Sequence, residues 1–212
     1  RSCASCHIPQ NYFSDTSVRT PLAFDRIHRL QRNAPTLLNV RNNHLIMLDG
    51  KHLSLSEQLK AVHANPEEMS GDPVSTLKKI RSCEAYKSKL DDLAKWSSEK
   101  DVGFEHVVSA ITFYYSSFDT ARSALDEAME NKRTLDAGQI AGFNLFMGRA
   151  QCGTCHFPPH FNGVKPPYTN SEFEVLGVPQ DDSFTKMSED SGRYRVLQVP
   201  EMFHAFRTGS LR

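Results

Sequence analysis

No apolar run in this 212-residue sequence approaches the roughly 20 residues needed to cross a bilayer as a helix, so the sequence offers no transmembrane segment of that kind. Net charge is missing too. Lysine and arginine total 25, aspartate and glutamate total 25, and neither sign gathers into a block. The footprint of a nucleic-acid binder or of a protein held to an anionic membrane is therefore absent. Glycine and proline are sparse at 11 each, which excludes collagen-like and low-complexity chains, and 39% apolar residues are enough for a packed core. Sustained apolar–polar alternation, the mark of half-buried strands, is not found, which leaves a mainly α chain as the expectation. An initiator methionine and a signal peptide are lacking as well, because the sequence opens on Arg1-Ser2-Cys3; their absence says nothing about compartment.

Cysteine is too scarce for a disulfide scaffold, yet four of the five repeat one pattern: Cys3-Ala4-Ser5-Cys6-His7 and Cys152-Gly153-Thr154-Cys155-His156. Cys83 stands alone. A C-x-x-C pair by itself fits a redox dithiol, half of a zinc site or coincidence. The histidine directly after each pair favours another chemistry. Two thioether bonds fix the vinyl groups of a porphyrin, and the adjacent imidazole supplies the proximal iron ligand. A four-cysteine zinc site leaves both histidines unexplained, and a thioredoxin-like site has no need of them. Two covalently bound haem c groups are expected, on Cys3, Cys6 and His7 and on Cys152, Cys155 and His156. Such attachment takes place outside the cytoplasmic membrane, so the expected location is the periplasm.

Residues 1 to about 50 are rich in turn formers and punctuated by Pro9, Pro21 and Pro35. Ser56 is placed to cap a short helix through Leu59 and Val62 that ends before Pro66. Leu77, Ile80, Cys83, Leu90, Leu93 and Trp96 keep one face apolar, which predicts a single amphipathic helix over 74–96 with Cys83 as a small buried hydrophobe and Trp96 as packing. Phe104, Val107, Val108, Ile111 and Tyr115 share one face of another helix, 119–130 predicts a more polar third, and 136–147 a fourth that leads into the second haem motif. The proline- and aromatic-rich stretch 157–179 reads as a loop wrapping a haem edge, and 191–199 as a short strand or irregular segment. The expected fold is mainly α, two cytochrome-c-like haem domains with long connecting loops, one over 1–117 and one over 118–212. A porphyrin in each supplies apolar surface, which helps about 100 residues suffice per module.

Two haems allow an electron carrier, an enzyme with one open distal side, or a sensor. Motifs beyond the haem anchors decide among them. Arg32-Asn33-Ala34-Pro35-Thr36-Leu37-Leu38-Asn39-Val40, Leu48-Asp49-Gly50, Leu55-Ser56-Glu57-Gln58-Leu59, Asn65-Pro66-Glu67-Glu68-Met69 and Leu145-Phe146-Met147-Gly148 follow in order. Glu172-Phe173, Leu176-Gly177-Val178-Pro179, Gly192-Arg193-Tyr194 and Phe206-Arg207-Thr208-Gly209-Ser210-Leu211-Arg212 complete the series. With these, the sequence resembles the bacterial dihaem cytochrome c peroxidases, together with the related dihaem oxidase that modifies tryptophans in methylamine dehydrogenase.

The resemblance implies a peroxidatic haem on His7 and an electron-accepting haem on His156. Gln58 and Glu68 match the pair lining the distal pocket. A carboxylate there can take the proton from the near oxygen of hydrogen peroxide and return it to the leaving oxygen, while an amide can orient peroxide by hydrogen bonding. Asn33 matches a residue that helps bind one calcium ion. Arg193 and Arg207 match positions near the second haem or the interdomain region, where they could meet propionates. Implied partners are hydrogen peroxide and a small redox donor such as a monohaem cytochrome c or a cupredoxin, and a homodimer is compatible. The alternatives are a dihaem oxidase acting on a protein or small molecule, and a non-catalytic carrier.

Departures mark the subtype. Where some relatives carry a sixth-ligand histidine on the first haem, this chain has Ala23 or Asp25, with His28 nearby as a substitute ligand or a surface imidazole. The tryptophan expected before the Asp-Gly pair is Leu48. His63, just upstream of the Glu68 motif, is either an influence on proton supply or an exposed histidine, and Met147 and Met187 are available thioethers. The remaining calcium groups and the sixth ligand of the second haem are expected in a segment beyond Arg212, so the sequence reads as an abridged enzyme.

Overall fold

The computed structural model describes residues 1–96, 101–120, 122–168 and 170–212, and the side chains of Trp96 and Ser171 lie outside the description. The fold is mainly helical. Two compact units emerge, Arg1–Val40 with Leu55–Phe118, and Arg41–Ser54 with Asp119–Arg212. The sequence reading put all of 1–117 in one domain, but residues 41–54 belong to the second unit. Hydrogen bonds to the carbonyls of this segment explain why. Arg193 Nη1 donates to Asp49 O at 2.9 Å and Gly50 O at 3.0 Å, and the Arg207 amide donates to Leu48 O at 2.7 Å.

The first unit is built from α1 (Leu55–Ala64), α2 (Pro73–Ser82), α3 (Glu84–Trp96) and α4 (Phe104–Ser116). α1 starts one residue before Ser56, so Ser56 sits in its first turn and does not cap it. Asp72 caps α2 by accepting from the Ser75 amide at 2.7 Å, with Pro73 supplying a pre-set first turn. The single helix expected over 74–96 is broken at Cys83, whose ψ of 113° is extended. Its amide closes α2 on Ile80 O, and its carbonyl opens α3 by accepting from Tyr86 and Lys87. Cys83 is half-buried at this break and belongs to no buried stripe. α4 packs on α1 and α2 and buries Val108, Thr112 and Tyr115. Ile111, expected on that face, is 37% exposed.

In the second unit, capping boxes start both longer helices, Ser123–Asp126 for α5 (Ala124–Met129) and Asp136–Gln139 for α6 (Ala137–Met147). The cap at Ser123 confines the helix expected over 119–130 to α5; Ala121 lies outside the described residues. The stretch 157–179, expected as loop, holds three short strands, although Thr169 is outside the description. β1 (Val164–Lys165) pairs with β2 (Asn170–Ser171), and β3 (Phe173–Val175) pairs antiparallel with β4 (Ala205–Arg207) in the register Phe173–Arg207, Glu174–Phe206, Val175–Ala205. Where 191–199 was read as strand or irregular chain, a one-turn helix, α7 (Tyr194–Leu197), forms.

The buried apolar residues are mostly alanine and valine, with Ile46 and Tyr115 the larger exceptions. Phe24, Ile140 and Leu145 stay 44%, 46% and 48% exposed, and α6 buries nothing despite its apolar composition. A helix of that composition ordinarily needs covering. Among the described residues no helix is long and apolar enough to cross a membrane.

Candidate functional site

Both C-x-x-C-H motifs fold the same way. Cys3–Ser5 and Cys152–Thr154 each make one 3-10 turn, and the amide of the following histidine returns to the first cysteine carbonyl, at 2.9 Å for His7 and 3.0 Å for His156. All four thiols are unpaired. His7 Nδ1 lies 3.0 Å from Phe13 O, and His156 Nδ1 lies 3.1 Å from Phe161 O. A carbonyl only accepts, so in each ring Nδ1 is the donor and Nε2 is the nitrogen left to face a ligand. That is the orientation a metal-ligating histidine takes when its second nitrogen is held by the backbone.

The intervening loops share little sequence, Ile8-Pro9-Gln10-Asn11-Tyr12-Phe13 against Phe157-Pro158-Pro159-His160-Phe161. They nevertheless close through equivalent antiparallel bridges, Ile8 to Ser14 and Phe157 to Asn162, and both Phe13 and Phe161 adopt left-handed backbone with φ of 59° and 49°. Gly153 is tied to this packing, since a Cβ there would meet Met147 Sδ at 2.5 Å. Met147 thus lies against the second motif. Two free thiols three positions apart, a pre-oriented Nε2 and uncovered apolar side chains in each unit fit a covalently held porphyrin.

Gln58 and Glu68, the expected distal pair, sit in the same unit as the first motif, Gln58 on α1 and Glu68 in the turn beyond it. The Tyr115 hydroxyl on α4 faces Leu55 O at 3.2 Å and Gln58 Oε1 at 3.4 Å. With its oxygen turned to Tyr115, the Gln58 amide presents its NH2 end as the free donor. Burial pushes the Tyr115 hydroxyl up to about 12, and the nearby Cys3 sulfur adds to the rise, which sets Gln58, Tyr115 and the first motif in one neighbourhood. Asn65 Nδ2 donates to Glu68 Oε2 at 2.9 Å. The Phe24 amide donates to Glu67 O at 2.6 Å, bringing the 22–29 loop onto the Glu68 turn.

The other expected residues are placed as follows. His28 is 79% exposed, with Nδ1 2.5 Å from Asp25 Oδ2; this contact and the amides of Ile27 and His28 hold Asp25 at about 2, and Asp25 in turn raises His28. Asn33 is exposed, and no cluster of three or more histidine, cysteine or acidic side chains suited to a metal occurs among the described residues, so calcium rests on the resemblance alone. His63 is half-buried against Phe104, its Nε2 2.9 Å from Thr76 Oγ1. Arg193 stacks on Phe173, and Arg207 reaches Asn43 Oδ1 at 2.8 Å and Met47 O at 3.3 Å, so both clamp the 43–50 segment.

Sequence reasoning missed three features. Tyr115 was read only as packing, although a buried hydroxyl needs a partner and pointed to a polar neighbour. Asn65 was quoted within a motif without a role. The Asp126–Arg212 pair, which also holds Pro159 O in the second haem loop, has no local signal in the sequence.

The family model of di-haem cytochrome c peroxidases matches residues 1–134. The chain is similar to the methylamine utilization protein MauG of Methylorubrum extorquens, 26% identical over 212 residues covering 100% of this chain and 56% of that protein. It is also similar to the cytochrome c551 peroxidase of Nitrosomonas europaea, 29% identical over 181 residues, 84% of this chain and 49% of the relative. Thus it spans about half the length of these curated relatives. Among solved structures, a MauG-like protein associated with microbial copper homeostasis shares the fold with a TM-score of 0.82 at 20% identity, covering 100% of this chain and 63% of the other.

Proposed function

Because this chain belongs to the di-haem cytochrome c peroxidase family, we propose that it carries two covalent haem c groups and reduces hydrogen peroxide to water in the periplasm, with electrons from a small redox donor protein. Cys3, Cys6 and His7 hold one haem, and Cys152, Cys155 and His156 the other. When bound, the haem at His7 would supply an iron able to accept electrons singly and to take up peroxide. The observation that supports the reading is that Gln58 and Glu68 share a unit with the first motif, each held by one oxygen, Gln58 Oε1 by Tyr115 and Glu68 Oε2 by Asn65, with its other end left to act.

Glu68 takes the proton from the near oxygen of peroxide and returns it to the leaving oxygen, so one carboxylate serves as base and then acid. The Gln58 NH2 cannot cycle protons and orients the peroxide by donating a hydrogen bond. With two electrons and two protons the products are two waters. A pure carrier leaves this pair without a task. An oxidase acting on a protein or small molecule is the second reading, favoured by the match to MauG, which covers all of this chain and 56% of that protein. Stopped-flow mixing of the reduced, haem-loaded protein with peroxide decides: reoxidation at two electrons per peroxide, sustained by a reduced cytochrome c, is expected. Reduced haems that persist in excess peroxide would sink the assignment.

A further inference from the structure

Asn65 is the most heavily bonded residue of the turn that carries Glu68. Its carbonyl accepts from the amides of Glu68 at 3.0 Å and Ser70 at 2.8 Å, and its side-chain Oδ1 accepts from the Glu67 amide at 3.0 Å. These bonds build the turn and need only acceptors. The remaining bond is of another kind. Nδ2 donates to Glu68 Oε2 at 2.9 Å, contributing nothing to the backbone path and fixing one oxygen of a half-buried carboxylate. Among the described residues Oε1 has no hydrogen-bond partner.

We propose that Asn65 is the positioning residue for Glu68: its amide holds Oε2 so that the carboxylate rotamer is fixed and Oε1 is the oxygen that exchanges protons with peroxide. The inference rests on the proton-transfer role given to Glu68 above. A free glutamate carboxylate at the end of three side-chain torsions samples several rotamers, and a proton-transfer group must lie within hydrogen-bond reach of its partner to work. The Nδ2 bond removes that freedom.

The chemistry of Asn65 supplies a clean test. Asn65→Asp keeps Oδ1 for the Glu67 amide and the same volume, but replaces the donor with an oxygen that cannot donate and repels Glu68. In the haem-loaded protein kcat for peroxide is expected to fall about tenfold or more, the scale of losing a hydrogen bond to a charged group, with KM changed less than twofold. In a Glu68→Gln background the same change is expected to cost nothing further, because its effect runs through Glu68. Equal losses in both backgrounds overturn the proposal, since a merely structural role would appear in each.

A second readout does not depend on turnover. In infrared spectra of protein labelled with 13C-glutamate, the Glu68 carboxylate band is identified by its loss in Glu68→Gln; Asn65→Asp should shift that band, and an unshifted band removes the bond. If Asn65→Asp does not fold, Asn65→Ala takes its place, because it removes the donor to Glu68 while the residue 65 carbonyl still accepts from the Glu68 and Ser70 amides. A wild-type protein inert to peroxide ends the peroxidase reading and leaves the infrared comparison to decide the role of Asn65.

Discussion

Deleting Asp126 should loosen the loop that holds His156. Arg212 grips both carboxylate oxygens, Nη1 to Oδ1 at 2.9 Å and Nη2 to Oδ2 at 2.5 Å, and its Nη1 also donates to Pro159 O at 3.0 Å. Arg212 is 15% and Asp126 18% exposed at the side chain. Removing one member of a wholly buried pair costs about 3–5 kcal/mol, whereas an exposed pair contributes about 0–1 kcal/mol. At this exposure Arg212→Ala should cost about 2–3 kcal/mol. Asp126→Ala should lose about 1 kcal/mol more, because Asp126 also accepts from the Ser123 amide at 2.7 Å in the capping box of α5. A double-mutant cycle should then return a coupling of about 2 kcal/mol, read by denaturant unfolding and by hydrogen exchange in α5.

Acid gives an independent reading of the same pair. The Arg212 guanidinium, helped by Ser123, holds the Asp126 carboxyl well below the usual carboxylate range against the opposing effect of burial. A lowered folded value means the stabilisation is complete above the ordinary value of 3.8 and is lost as pH falls below it. The stability gap between the wild type and Asp126→Asn should therefore be constant near neutrality. Below about pH 4 it should narrow by at most about 1.4 kcal/mol per pH unit. Additive single effects, or a gap unchanged between pH 5 and pH 3, would refute the reasoning.

Other perturbations test the remaining elements. Glu68→Gln should lower peroxide turnover by about 10²-fold, the range for losing an acid–base group, and an unchanged single-turnover rate would remove Glu68 from the chemistry. Gly192→Ala places a Cβ 2.3 Å from the Ala205 carbonyl oxygen at a φ of +58°, so both left-handed strain and a clash with backbone apply. A loss of about 3 kcal/mol or more in thermal unfolding is expected. His28→Ala should leave the resting electron paramagnetic resonance spectrum of the haem-loaded protein unchanged, since His28 is 79% exposed and paired with Asp25. Conversion of a low-spin signal to a high-spin one would instead make His28 the sixth ligand.

Much of the helical structure was legible because its causes are local. Phe104 to Tyr115 repeats at helical spacing, and Asp136 with Gln139 forms a capping box ahead of an apolar run, so α4 and α6 lie close to where the pattern puts them. The break at Cys83 was not legible, because the apolar spacing of Leu77, Ile80, Leu90 and Leu93 runs through it uninterrupted and neither glycine nor proline marks it. The Asn65-Pro66-Glu67-Glu68 motif was visible, whereas the bond from Asn65 to Glu68 depends on side-chain torsions that the motif leaves open.

The sequence by itself determined where a porphyrin attaches, because the two thiols and the iron-binding imidazole of each site fall within five consecutive residues and need no distant partner to be recognised. Tertiary structure decided how those residues are aimed. The nitrogen of His7 and of His156 left free for iron follows from a carbonyl brought back by a closing loop, at Phe13 and at Phe161. The membership of residues 41–54 in the second unit follows from arginines more than a hundred positions away. Contacts of that kind depend on how the chain closes on itself, and closure is set by the sum of packing and hydrogen bonding over the whole unit, not by any local pattern.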